Sequence, residues 1–127
     1  MYRFVILLAL LFTSTVYGHQ FTPAYPELRP SWMPGIWMTE LKLFNKREEI
    51  SYYEFNVFDE KWNAVKFATP QRVQKIPYLI TENIEIYIKD EDVENATYIC
   101  STSKLIKEKG GIFGQSISSR ICSKIKK

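Results

Sequence analysis

The chain of 127 residues contains one histidine, two cysteines and five glycines, and each scarcity removes a class of chemistry. A nucleophilic triad needs a base beside its nucleophile, and His19 is the only histidine. It falls at the expected mature N-terminus, where the plain reading is an accident of cleavage in a flexible arm. An amino-terminal histidine chelates copper in secreted oxygenases, but such sites need a second histidine. Two widely spaced thiols, Cys100 and Cys122, with no third cysteine or neighbouring histidine cannot complete a tetrahedral metal site. Gly110-Gly111 lacks the Gly-Lys-Ser/Thr that a phosphate loop requires. The acid pairs Glu48-Glu49 and Glu91-Asp92 fall in expected turns, where carboxylates stay solvated. The expectation is a protein that is not an enzyme, with no cofactor and no metal.

Long apolar runs are also scarce. The single one, Phe4 to Phe12, follows a short basic start at Arg3 and gives way to the small, polar stretch Thr13 to Gly18. At about nine residues it is far short of the roughly 20 that span a bilayer, so residues 1–18 are expected to be a cleaved signal peptide. That makes the mature chain a single exported domain, secreted and extracellular, without a membrane span. In an oxidising compartment the two cysteines are expected to pair. Closing a loop of roughly 22 residues is worth about 3 kcal/mol in loop-closure entropy. Asn95-Ala96-Thr97 is an N-glycosylation acceptor, which marks Asn95 as an expected surface position.

The net charge of +3 implies nothing about nucleic acid. Its distribution is uneven. Acids crowd between Glu82 and Glu94, whereas Lys104, Lys107, Lys109, Arg120, Lys124, Lys126 and Lys127 face only Glu108. A basic C-terminal third, with residues 124–127 as a tail, is suited to anionic surfaces or to an acidic protein. A solvated face and a frayed tail would explain the same charges.

Prolines at 23, 26, 30 and 34 make residues 19–35 an extended arm, with Tyr25, Leu28 and Trp32 able to lie across the body. Residues 36–123 then read as a β-domain. Trp37, Leu41 and Leu43 alternate with Glu40 and Lys42, Asn45 to Glu49 is a polar turn, and Tyr53, Phe55 and Val57 alternate with Glu54 and Asn56. This pair reads as a hairpin. A strand is expected from Trp62 to Ala68 with Val65 and Phe67 inward, and a weak edge strand from Val73 to Ile80, which Pro77 interrupts. Ile84, Ile86 and Ile88 alternate with Glu85, Tyr87 and Lys89. Ala96 to Thr102 and Ile112 to Cys122 follow, the latter with Phe113, Ile117 and Ile121 on one face, and Lys104 to Lys109 could form one helical turn. The expected fold is all-β: a small antiparallel barrel or, as second choice, a β-sandwich.

Gly35-Ile36-Trp37, at the entry to the first long strand, resembles the G-x-W signature of lipocalins and related calycin barrels. The resemblance implies that Trp37 closes one end of a barrel under Arg120. Glu94 to Cys100 (ENATYIC) and Phe113-Gly114-Gln115 are similar to strand motifs of immunoglobulin-like sandwiches, although the earlier cysteine and the core tryptophan of that family are missing. Tyr98 fits either fold as a buried ring with its hydroxyl on backbone.

Binding is what remains. In a barrel, Tyr53, Phe55, Val65, Phe67, Ile84, Ile86 and Tyr98 would line a cavity for a small hydrophobic ligand, making the protein a carrier or scavenger. In a filled interior they are core, and a secreted immunoglobulin-like interaction module would act on an extracellular protein through Tyr52, Tyr87, Trp62 and the basic tail.

Overall fold

The structure is a computed structural model that describes residues 18–104 and 119–127. Eight strands form: β1 (His19–Thr22), β2 (Arg29–Pro30), β3 (Ile36–Asn45), β4 (Tyr52–Phe58), β5 (Val73–Lys75), β6 (Thr81–Lys89), β7 (Tyr98–Lys104) and β8 (Arg120–Lys124). The described residues contain no α-helix, only a 3-10 turn at Asp90–Asp92.

The strands make two antiparallel sheets. In the first, β3 is central, with β1 and β2 following one another along one edge and β6 along the other. The second runs β5-β4-β7-β8. The sheets do not close on each other, so of the two expected architectures the sandwich is the one formed. Alternation drives this arrangement. Leu41, Leu43, Ile84, Ile86 and Ile88 of the first sheet meet Tyr53, Phe55, Val57 and Ile99 of the second, all essentially without solvent contact.

Several expectations are corrected. Strands β3 and β4 are neighbours in sequence but not a hairpin, because each pairs within a different sheet. The polar turn between them is not simply solvated, since Asn45 and Arg47 are buried. Residues 62–68 form no strand; their backbone pairs with the sheets at the bridges of Ala64 and Ala68 and through the Val65 N–H to the Val57 carbonyl. Edge pairing is confined to Val73–Lys75 in the segment that reaches Pro77. The arm is not free: β1 and β2 dock on β3, and His19 is 4% exposed. Leu28 packs against the core, but Tyr25 and Trp32 project into solvent, Trp32 at 81% exposure. The expected signal peptide, the glycine pair and Phe113 to Ile117 lie outside the described residues, apart from Gly18. Of the expected helical turn, Lys104 belongs to β7 and the remainder also lies outside them.

Cys100 and Cys122 are cross-strand partners on β7 and β8, with Cα atoms 4.0 Å apart, and they form the disulfide.

Candidate functional site

The residues expected to line a cavity separate into two groups. Tyr53, Phe55, Ile84 and Ile86 are fully buried between the sheets, and Val65 and Phe67 are partly buried against the same core. They act as packing. Tyr98 does something different: together with Cys100, Thr102 and Lys104 it faces away from the core, while Ile99, Ser101 and Ser103 face in. The immunoglobulin-type motif implies a buried Tyr98, so this is a correction. Ile99 takes the core side, so alternation places Tyr98 and Cys100 on the outer face, where Cys122 of the neighbouring strand meets Cys100.

On that outer face an aromatic cluster forms. The Trp62 ring lies parallel to Tyr98 with centroids 4.2 Å apart, and Phe58 meets Trp62 at 5.9 Å. The Arg120 guanidinium stands 5.2 Å from the Phe58 centroid. This corrects the barrel expectation that Arg120 covers Trp37: Arg120 projects outward from the second sheet, and Trp37, in the first, donates its indole N–H to Asp90 at 2.8 Å. Trp62 owes its position to the loop after β4. Asp59 Oδ1 accepts the backbone N–H groups of Lys61 and Asn63, at 2.9 and 2.8 Å, and these bonds hold its carboxyl below the ordinary range. The turn leaves Trp62 at φ 66°, a left-handed conformation that a bulky side chain rarely adopts, with 49% of its surface exposed.

Charge surrounds the cluster. Lys104 pairs with Glu54 at 3.6 Å, Arg72 donates to Asn56 Oδ1 at 3.0 Å, and Lys124 is the cross-strand neighbour of Tyr98. Tyr52 lies on the same outer face, whereas Tyr87 belongs to the outer face of the first sheet, where its hydroxyl donates to Glu85 at 2.7 Å.

A second polar cluster lies inside. His19 Nε2 is 2.8 Å from Ser101 Oγ, its Nδ1 is 3.2 Å from Ser119 Oγ, and its ring meets Tyr53 at 4.8 Å. Burial, reinforced by the Arg47 charge and opposed by the bond to Ser101, lowers the imidazole pKa to about 4. The same burial raises the Tyr53 hydroxyl to about 12. A histidine beside a serine is a familiar catalytic pair, but Ser101 has no exposed surface here, so its hydroxyl meets no substrate while the sheets stay together. The pair instead satisfies buried polar groups and ties β1 to β7. Nothing in the sequence signals that contact, because the partners are 82 residues apart.

Asn95 is exposed, as its acceptor motif requires. Among the described residues no group of acids, histidines and cysteines could hold a metal, and no helix is long and apolar enough to cross a membrane. Comparison with known protein families and with curated proteins returns no match.

Proposed function

We propose that the protein is an exported, non-enzymatic binding domain of immunoglobulin-like build that recognises an acidic protein partner through the outer face of the β5-β4-β7-β8 sheet. The carrying observation is the outward stack of Phe58, Trp62 and Tyr98 under Arg120, with Trp62 held in a costly backbone conformation by Asp59. Left-handed backbone at a bulky residue costs on the order of 1–2 kcal/mol, and such strain collects at binding sites. Trp, Tyr and Arg are the side chains that most often dominate protein interfaces. With Arg72, Lys75, Lys104, Arg120 and Lys124 on this face against Glu54 and Asp59, cations are in excess and the complementary partner is acidic.

Strand order supports the immunoglobulin-like reading. With β1 and β2 as a broken strand A, the first sheet reads A-B-E and the second C′-C-F-G. The departures are a disulfide within one sheet instead of between sheets, and the lack of a strand D beside β6. Export rests on the apolar leader, the disulfide and the exposed Asn95, which we expect to be glycosylated in a secretory pathway. The carrier reading is weaker because Tyr53, Phe55, Ile84 and Ile86 fill the space a ligand would need.

The test uses the oxidised protein immobilised beside three variants: Trp62→Gly, Arg120→Glu and, as a control on the other sheet, Met38→Ala. The expected result is a protein partner held by wild type and control, weakened at least about tenfold by the first two changes, and released by about 0.5 M salt. Retention unaffected by both changes would refute this reading.

A further inference from the structure

Strand β6 is an edge. On one side it pairs along its length with β3; on the other, among the described residues, Ala68 alone bonds its backbone, exchanging two hydrogen bonds of 2.8 Å with Tyr87. Backbone groups alternate sides along a strand, so the N–H and C=O groups of Asn83 and Glu85 point the same way as those of Tyr87. No described residue bonds them. The sequence explains why pairing stops. In antiparallel register the next hydrogen-bonded partner after Ala68 would be Pro70 opposite Glu85, and proline has no N–H to give. There a groove of about 360 Å³ opens, with Pro70, Gln71 and Gln74 on one wall and Asn83, Ile84 and Glu85 on the other.

An independent observation falls at the same place. Glu40 of β3 stands directly opposite Glu85, both on the outer face, although like charges in register destabilise a sheet. The ion pairs among the described residues engage other acids, namely Glu27, Glu49 and Glu54. Glu85 accepts the Tyr87 hydroxyl and Lys42 shares the face, but neither Glu40 nor Glu85 is in an ion pair, and both border two unpaired sets of backbone groups.

We propose that the free edge of β6 is a strand-addition site for an extended segment of a partner protein that carries a basic side chain on its outward face. The added strand takes up the backbone groups of Asn83 and Glu85, and a lysine or arginine opposite Glu85 neutralises it, with Glu40 one strand further in. The same charge discriminates. An acidic segment, or a second copy of β6, would bring more carboxylate against Glu85. This site lies on the sheet opposite the aromatic stack, so its fate is independent of the recognition reading above.

The probe is a capped heptapeptide of alternating Lys and Val, compared with a Glu/Val peptide and with a Lys/Val peptide N-methylated at alternate residues. Amide hydrogen exchange is followed in the full mature protein. The Lys/Val peptide is expected to slow exchange at Asn83 and Glu85 by about tenfold or more while leaving β8 unchanged. The N-methylated peptide should not, and Glu85→Gln, which keeps the shape and removes the charge, should weaken the effect. No slowing at millimolar Lys/Val peptide, or equal slowing by the Glu/Val peptide, would overturn the proposal.

Discussion

At the scale of single residues, Asn45 carries more of this fold than its polar character suggests. Its amide nitrogen donates to the carbonyls of Ile50 and Ile76, its amide oxygen accepts from the Arg47 N–H and the Tyr53 hydroxyl, and its backbone bonds Leu79 and Ile80. Asn45→Ala would strand four buried partners at once. A loss of about 3–5 kcal/mol is expected from denaturant unfolding, against under about 1 kcal/mol for an ordinary surface change. His19 gives a prediction with a sign. Its folded pKa of about 4 lies below its unfolded value of 6.5, so between those limits the unfolded chain binds more protons. Its contribution is complete above pH 6.5 and falls away as pH drops towards 4, by about 2–3 kcal/mol in all. Thermal midpoints of wild type and His19→Gln across pH 4–7 should converge towards the acid end; parallel curves would contradict the assignment. Leu79 tests strain alone. It is exposed and sits at φ 63°, so Leu79→Gly should leave stability unchanged or raise it by up to about 1 kcal/mol.

At the scale of elements, the disulfide is the clearest test. It joins neighbouring strands in register, so replacing both Cys100 and Cys122 by Ser should leave the pairing of β7 and β8 intact while lowering stability by about 3 kcal/mol through loop entropy. An unchanged denaturation midpoint would show that the cross-link contributes nothing. The sequence made the strands legible where one face is dry. Ile84, Ile86 and Ile88 announce β6, and Leu41 and Leu43 announce β3, because alternation is a local property. Partnership is not local: whether β3 turns back on β4 or crosses to the other sheet depends on which apolar faces meet. The docking of the arm is non-local in the same way. Prolines 23, 26 and 30 forbid a central strand but allow short edge strands, β1 ending just before Pro23 and β2 ending at Pro30. The outward turn of Tyr98 is hidden because the alternation of its strand can be read with either face inward, and the expected Cys100–Cys122 disulfide does not say whether it joins adjacent strands or facing sheets.

At the scale of the whole molecule, the two outer faces differ in kind. The β5-β4-β7-β8 face combines outward aromatics with an excess of cations, while the β3-β6 face sets Glu40 and Glu85 in register at its centre, with Lys42 and Lys89 towards its ends. The candidate site was legible only in pieces: Trp62 was readable as an outward aromatic and Arg120 as part of a basic third, but their convergence on Phe58 and Tyr98 depends on the loop that Asp59 ties. Loss of those ties in Asp59→Ala should release the Trp62 ring from Tyr98, seen as increased solvent quenching of Trp62 fluorescence in a variant whose other two tryptophans are replaced by phenylalanine. The most direct measurement of the central claim is native mass spectrometry of the protein purified from its natural source, wild type beside Trp62→Gly. The account predicts a protein-sized adduct on the wild type that is lost from the variant. A small apolar molecule carried equally by both would contradict it.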